Sequence, residues 1–185
     1  LRIVKIFWKL DYDLSYQRHF PAINWIDSYS LYQAKIDKYL DENVDKNFSK
    51  LRKRAMALLQ EETSLLEVVR LVGRDTLSDE DQVKLNSTKS IREDFLQQNA
   101  FHDVDTFCPL EKQFKMLDTI LYFYYKSQES LEKGVYFSEI EELDVKEDIA
   151  RMKYVPNDEL EKIDAIKEKI DSQLKKLEEV GDVDA

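Results

Sequence analysis

Glycine and proline are scarce in this sequence of 185 residues, which contains only three of each. Both residue types interrupt regular structure, so their scarcity predicts long helices with few breaks. The single cysteine, Cys108, excludes an internal disulfide and is compatible with a reducing compartment. No apolar run approaches the length of a membrane span, so we expect a soluble chain without direct insertion into a bilayer.

Basic residues are fewer than acidic ones. The chain has 28 lysines and arginines and 38 acidic residues, which give a formal net charge of -10 at pH 7. Such a chain repels polyanions, and nucleic acid is not an expected partner. The two histidines, His19 and His102, together with Cys108 offer too few ligands at suitable spacing for zinc. We therefore expect no metal site.

Motifs for catalysis are missing as well. The phosphate-binding pattern G-x-x-x-x-G-K-[ST] is absent, and the carboxylates are too scattered to single out a general acid and base. A reaction centre of Cys108 and His102 is an alternative, but a cysteine at the start of an apolar helix is more often a packing residue. This chain alone is not expected to be an enzyme.

Residues 1–28 predict a strand followed by a loop. The segment LRIVKIFWKLD alternates β-forming residues with Arg2 and Lys5 and predicts one strand without a partner. The aromatic stretch that follows, which contains Pro21, predicts a structured loop leading into a helix near Asp27. Because a lone strand leaves backbone groups unpaired, we expect it to be left over from the sheet of an upstream domain.

Residues 29–134 predict a helical domain. Apolar residues between Phe48 and Val72 recur at helical spacing and predict one amphipathic helix that ends before Gly73. Ser78 can cap the next helix. Its first turn, where the helix dipole favours negative charge, then contains three acidic residues, Asp79, Glu80 and Asp81.

The next predicted helix opens at Pro109, after the loop QQNAFHDVD, and ends at Gly134. Residues 135–185 predict a second helical unit, in which SEIEE at residues 138–142 fits a capping box. Apolar residues then form a seam that suits packing on a helix of this chain or of another: Leu160, Ile163, Ile166, Ile170, Leu174 and Leu177. The predicted fold class is mainly α, a helical bundle with a short N-terminal strand.

Three motifs follow one another along the chain. They are VKIFWKLD with RHFPAINWIDSYSLY, then LLQEETSLLEVVRLVGRDTLSDEDQ, then REDFLQQNAFHDVDTFCPLEKQFKML. Their order resembles the C-terminal part of the catalytic A subunits of the archaeal and vacuolar-type (A-type and V-type) rotary ATP synthases and ATPases. The resemblance runs from about Val4 to Tyr125, and beyond Gly134 it is limited to helical character and position.

The resemblance implies an adenine pocket in the parent subunit, with Phe20 and Phe101 as its aromatic residues. The backbone beside it is that of Gln98, Asn99 and Ala100. Aromatic faces suit this role, since a base gains stacking energy on them without base-specific hydrogen bonds. The alternative for both phenylalanines is ordinary core packing.

A rotor contact is implied at the turn between the first two long helices, because in this family a helix-turn-helix touches the central stalk. The residues concerned are Asp75, Thr76, Leu77, Ser78, Asp79, Glu80 and Asp81. A solvated helix start is the alternative, and capping explains the acidic residues without a partner. Candidates for rigid packing behind this turn are Val69, Val72, Val83 and Leu85.

In the family, the phosphate-binding loop, the glutamate that activates water and the magnesium ligands lie upstream of the position of Leu1. The resemblance therefore implies that ATP or ADP and Mg²⁺ bind the parent subunit, an ATP hydrolase or synthase coupled to proton or sodium transport, and we expect no cofactor in this chain alone. The implied partners are non-catalytic B subunits in an alternating hexameric ring and the central-stalk rotor subunits, with the peripheral stalk as a further candidate. The implied location is the cytoplasmic head of the complex, peripheral on the membrane.

Two other classes of protein remain open. A free-standing helical adaptor would bind a partner helix through the seam from Leu160 to Leu177, but it would have no use for the strand or for QQNAF. An independent enzyme built around Cys108 would need a lowered thiol pKa in an electropositive pocket, which the acidic surroundings disfavour.

Overall fold

A computed structural model describes residues 3–181 and shows helices preceded by a two-stranded sheet. The predicted fold class, mainly α, is confirmed. The ends of the predicted regions 1–28 and 135–185, namely residues 1–2 and 182–185, lie outside the described residues. The elements, in chain order, are β1 (Ile6–Leu10), α1 (Tyr12–Tyr16), β2 (Ile23–Ser30), α2 (Gln33–Asn43), α3 (Phe48–Val72), α4 (Asp79–Ser90), α5 (Leu110–Glu132), α6 (Phe137–Glu141), α7 (Val145–Arg151) and α8 (Glu161–Gly181).

Short irregular helices connect some of these elements. A 3₁₀ turn, Arg74–Thr76, lies between α3 and α4, and a second one, Met152–Tyr154, follows α7. A π-helical segment, Ile91–Leu96, continues α4 towards the QQNAF loop. Single π-helical turns inside α-helices are frequent near functional sites. This segment therefore makes the loop after it a candidate functional region.

The N-terminal strand has a partner, so the prediction of a lone strand is wrong. β1 pairs antiparallel with β2, from Ile6 opposite Ser30 to Leu10 opposite Ile23. The aromatic stretch predicted as a loop forms α1 and β2. The helix predicted to begin near Asp27 begins at Gln33 instead, as α2. β2 escaped the sequence pattern because it is half-buried at both ends and exposed only in the middle, which gives no period-two alternation.

The helix boundaries around the acidic turn agree with the prediction. α3 stops at Gly73, whose φ of 88° lies in the left-handed region that glycine adopts without steric cost. α4 begins after Ser78, whose Oγ accepts a hydrogen bond from the Asp81 N–H at 3.2 Å. This bond satisfies one of the backbone donors that a helix start leaves free.

Ser78→Ala removes this cap, and we expect it to lower the free energy of unfolding by about 0.5 to 2 kcal/mol. Ser78→Asp keeps a side-chain acceptor and is the matched control, with an expected stability close to that of the unaltered chain. Urea unfolding followed by circular dichroism measures both. Identical midpoints for the alanine variant and the unaltered chain would contradict the capping role.

One hydrophobic cluster includes residues from α3, α4, α5, α6, α7 and α8. Several of its side chains are completely buried, among them Leu58, Leu121, Val145, Ile163 and Ile170. The predicted seam belongs to this cluster and packs on α5, so its neighbouring helix lies within this chain. The adaptor alternative therefore loses the surface on which it depended.

α5 and α8 run parallel. Lys115 Nζ contacts Asp164, the Tyr122 hydroxyl contacts Asp171, and the Ser130 hydroxyl contacts Glu178, at separations of 49, 49 and 48 residues along the chain. Such a constant offset requires two helices that point the same way. A parallel pair needs a long connection, and α6 and α7 with the turn at Met152–Tyr154 provide it.

The capping box predicted at residues 138–142 is displaced, because the N-cap of α6 is Tyr136 and its N3 residue is Glu139. Ser138 lies inside α6, and the carboxylate of Glu139 accepts a hydrogen bond from the Tyr136 N–H at 2.9 Å. The Phe137 N–H donates to Asp79 at 2.9 Å, so an acidic side chain from the start of α4 also caps α6. A local motif cannot reveal this second cap, because its acceptor lies far away in the sequence.

Candidate functional site

All five residues predicted for the adenine pocket line one cleft of about 390 Å³. They are Phe20, Gln98, Asn99, Ala100 and Phe101, and four more residues line the same cleft: Arg18, Gln97, Lys153 and Tyr154. A backbone hydrogen bond of 2.7 Å from the Gln98 N–H to the Phe20 carbonyl joins the two halves. Tertiary structure thus brings together residues that lie far apart in the sequence.

Both phenylalanines are surface residues, so core packing does not explain them. Phe101 is 99% exposed and Phe20 is 51% exposed. An aromatic side chain buries a large apolar area when a ligand or another chain covers it, and this area is still in water here. The cleft therefore presents aromatic surface that is available for a contact outside this chain.

The loop from Gln97 to Asp105 is held by its own side chains. Asp105 is 5% exposed, and its carboxylate accepts a hydrogen bond from the Asn99 N–H at 2.5 Å. The Gln98 side-chain amide donates to the Asp105 carbonyl at 2.6 Å, and the Asn99 side-chain oxygen accepts from the Phe101 N–H at 3.0 Å. These polar groups are used within the loop, whereas the Phe101 ring faces outward.

His19 connects the other side of the cleft to the helices. Its ring is buried, with Nε2 at 3.0 Å from the Arg92 carbonyl and Nδ1 at 3.3 Å from the Pro21 carbonyl. The ring also lies 5.7 Å from that of Trp25. These contacts hold the backbone next to Phe20 against the helices.

Cys108 is half-buried, and burial raises the pKa of its thiol. A nucleophilic cysteine needs a lowered pKa, so this environment does not support the Cys108 alternative. His102 Nδ1 accepts hydrogen bonds from the N–H groups of Val104 and Asp105 at 3.1 and 3.3 Å, which uses that nitrogen within the loop. Within residues 3–181, no three histidine, cysteine or carboxylate side chains are grouped to hold a metal ion.

The turn at residues 75–81 lies at the surface between α3 and α4, and the side chain of Asp75 is outside the described part. Asp79 accepts from the Phe137 N–H, and Asp81 lies 3.6 Å from Lys84 Nζ and 3.1 Å from the Ser78 hydroxyl. Glu80 is exposed. Two of the acidic side chains thus stabilise this domain from within.

Packing behind the turn differs in part from the prediction. Val83 and Leu85 are buried and Val69 is half-buried. Val72, predicted to support the turn, is instead 57% exposed, and its neighbour Leu71 is 84% exposed. The last turn of α3 is therefore exposed at two apolar positions that the helical periodicity assigned to a packed face.

Comparison with known proteins identifies the family of the helical part. A family model described as the C-terminal domain of V and A type ATP synthase matches residues 37–141. This chain belongs to that family. The matched segment includes the turn at residues 75–81 and the loop from Gln97 to Asp105, whereas Phe20 and Tyr154 lie outside it.

Curated relatives extend the match over almost the whole chain. This V/A-type C-terminal domain is 58% identical over 166 residues to the V-type ATP synthase alpha chain of Clostridium botulinum (strain Okra / Type B1), across 90% of this chain and 28% of the relative. It is 54% identical over 185 residues to the V-type ATP synthase alpha chain of Thermoanaerobacter sp. (strain X514), across 100% of this chain and 31% of the relative. The chain therefore spans about three tenths of the length of these relatives.

A third relative has a similar level of identity. The V-type ATP synthase alpha chain 1 of Clostridium tetani (strain Massachusetts / E88) is 51% identical over 183 residues, across 99% of this chain and 31% of the relative. In the described part of this V/A-type domain, none of the helices combines the length and the apolar character needed to cross a bilayer.

Some residues of the cleft were not predicted from sequence. Arg18 had no assigned role, and Gln97, Lys153 and Tyr154 were not candidates. Arg18 has a positive φ of 59°, which is uncommon for a residue other than glycine. A local pattern does not mark Lys153 or Tyr154, because both reach the cleft through contacts with distant segments.

Proposed function

We propose that this chain is the C-terminal part of the catalytic subunit of a V/A-type rotary ATP synthase or ATPase. In that subunit it completes the adenine pocket and couples closure over the nucleotide to rotation of the central stalk. The observation that carries the proposal is the meeting of two exposed phenylalanines, Phe20 and Phe101, in one cleft of a chain from this family.

The chemistry of the cleft suits a base better than a phosphate chain. Aromatic side chains stack on any flat π-system, whereas a triphosphate needs several cations or backbone donors. Arg18 and Lys153 are the cationic residues at the cleft, and the Lys153 amine already donates to two backbone carbonyls. The rest of the parent subunit would hold the phosphates and Mg²⁺ and would carry out hydrolysis or synthesis of ATP.

The proposed assembly follows from membership of the family. The parent subunit would alternate with non-catalytic B subunits in a hexameric ring on the cytoplasmic side of a membrane and would contact the central stalk, with the peripheral stalk as a further candidate partner. Proton or sodium transport would be coupled to it. Residues 1–28 would end the nucleotide-binding domain, residues 29–134 would carry the rotor-facing turn, and residues 135–185 would form the helical tail.

Phe101→Ala in the intact parent subunit is expected to weaken ADP binding by about 1 to 3 kcal/mol, the value of one base stacked on an aromatic ring. Phe101→Tyr keeps the ring and should have a mild effect. Phe107→Ala is a matched control, because Phe107 is 69% exposed and does not line the cleft.

Calorimetric titration with ADP and Mg²⁺ measures binding, and thermal unfolding measures stability. Normal ADP binding by the Phe101→Ala variant together with a loss of thermal stability would show that Phe101 is a packing residue and that the pocket assignment is wrong.

A further inference from the structure

We propose that Tyr154 forms a third aromatic wall of the adenine cleft, so that the segment after Gly134 takes part in nucleotide binding. This inference rests on the proposed function. It extends the pocket beyond the two phenylalanines and the QQNAF loop to a part of the chain for which the sequence suggested only helical packing.

The position of Tyr154 supports this role. It lines the same cleft as Phe20 and Phe101 and is 39% exposed. Its ring centroid lies 4.5 Å from that of His102, with a tilt of 42° between the two planes. Because His102 directly follows Phe101, this contact places the tyrosine against the loop that presents the Phe101 ring.

A buried lysine fixes the backbone on both sides of Tyr154. Lys112 of α5 is 0% exposed, and its Nζ donates to the carbonyls of Lys153 and Val155 at 2.7 and 2.6 Å. Burial lowers the pKa of Lys112. Burying a charged amine costs free energy, and the hydrogen bonds that Lys112 donates to two backbone carbonyls offset this cost.

Lys153 ties the same segment to the loop. Its Nζ donates to the carbonyls of Glu93 and Gln97 at 2.8 and 3.3 Å. Gln97 directly precedes Gln98, whose N–H is bonded to the Phe20 carbonyl. The three walls of the cleft are thereby joined through hydrogen bonds to backbone carbonyls. A wall already fixed in place costs little ordering entropy when a ligand binds.

The ligand class follows from the chemistry of this wall. The ring of Tyr154 contributes an aromatic surface that can cover a flat heterocycle. It brings no cationic group to a phosphate chain, whose binding needs several cations or backbone donors. The ligand group that Tyr154 contacts is accordingly the purine base of a nucleotide.

The test uses the complete complex and compares two ligands, ADP and inorganic pyrophosphate, each with Mg²⁺. Tyr154→Ala and Tyr154→Leu should weaken ADP binding by about fivefold or more, the lower end of the range for a base on an aromatic ring. Tyr154→Phe should bind ADP with nearly unaltered affinity. Pyrophosphate has no base, so its affinity should be unchanged in every variant.

Tyr136→Ala is the matched control, since Tyr136 is 69% exposed and does not line the cleft. Thermal unfolding of each variant identifies a misfolded one, and the leucine variant, which retains side-chain bulk, decides the question if the alanine variant does not fold. An equal loss of ADP and pyrophosphate affinity would overturn the inference, because it would mean that the whole site is distorted.

Comparison with Phe101→Ala separates the two proposals. If that variant loses ADP affinity while the Tyr154→Ala and Tyr154→Leu variants bind ADP normally, Tyr154 is no wall of the pocket and the proposed function stands. If all three variants bind ADP normally, the adenine pocket itself is wrongly placed.

Discussion

A complete rotary complex with several glycines inserted on each side of the turn at residues 75–81 is expected to slip, although every charge of the turn is retained. A second complex, in which Asp79, Glu80 and Asp81 are replaced by Asn, Gln and Asn, is expected to rotate nearly normally. The two variants separate stiffness from charge as the means by which the proposed rotor contact transmits force.

The magnitudes favour stiffness. An exposed ion pair is worth about 0 to 1 kcal/mol and weakens as salt is added, so a few such pairs form a soft and condition-dependent link. The turn is held instead by α3 and α4, with Val83 and Leu85 buried behind it. Close-packed interiors transmit strain, whereas inserted glycines add flexible backbone that dissipates it.

The contacts of the acidic residues lead to the same expectation. Asp79 caps α6 through the Phe137 N–H, and Asp81 interacts with Ser78 and Lys84. Asn at position 79 still offers an oxygen to the Phe137 N–H, and the Ser78 cap is unchanged. The neutral variant therefore keeps the shape of the turn and loses mainly its charge.

Single-molecule rotation under ATP, at two salt concentrations, measures the torque of both variants. The stiffness mechanism requires low torque from the glycine variant and nearly full torque from the neutral one. Stalling of the neutral variant combined with full torque from the glycine variant would show that the charges carry the coupling.

The isolated 185-residue chain is expected neither to hydrolyse ATP nor to bind it with a micromolar dissociation constant. The aromatic cleft supplies only a stacking contact worth about 1 to 3 kcal/mol, far from the roughly 8 kcal/mol that micromolar binding requires. The formal charge of -10 also repels a triphosphate.

Calorimetric titration of the isolated chain with ATP and Mg²⁺ checks this expectation. The intact parent subunit, titrated in the same buffer, is the positive control, and circular dichroism verifies that the isolated chain is folded. A micromolar dissociation constant for the isolated chain would show that it contains the main determinants of nucleotide binding and that their location has been misjudged.

Much of the helical part could be predicted because its signals are local. Gly73 marks the end of α3 through its backbone conformation, and Ser78 marks the start of α4 through capping. Both signals depend on a few neighbouring residues. Apolar spacing predicts the seam of α8 but does not identify α5 as the helix on which the seam packs. β2 was missed because its burial follows no simple alternation. Val72 was misjudged because periodicity identifies an apolar face but not how much of that face other elements cover.

The sequence by itself determined the family and predicted the QQNAF loop and the two phenylalanines as site residues, because each lies in a contiguous motif that a resemblance can match. Only the tertiary structure decided that Phe20 and Phe101 line one cleft and are exposed, and that Lys112 and Lys153 hold Tyr154 beside them. The physical reason is that helix signals come from interactions over three or four residues. The cleft depends on hydrogen bonds and ring contacts between segments that only folding brings together.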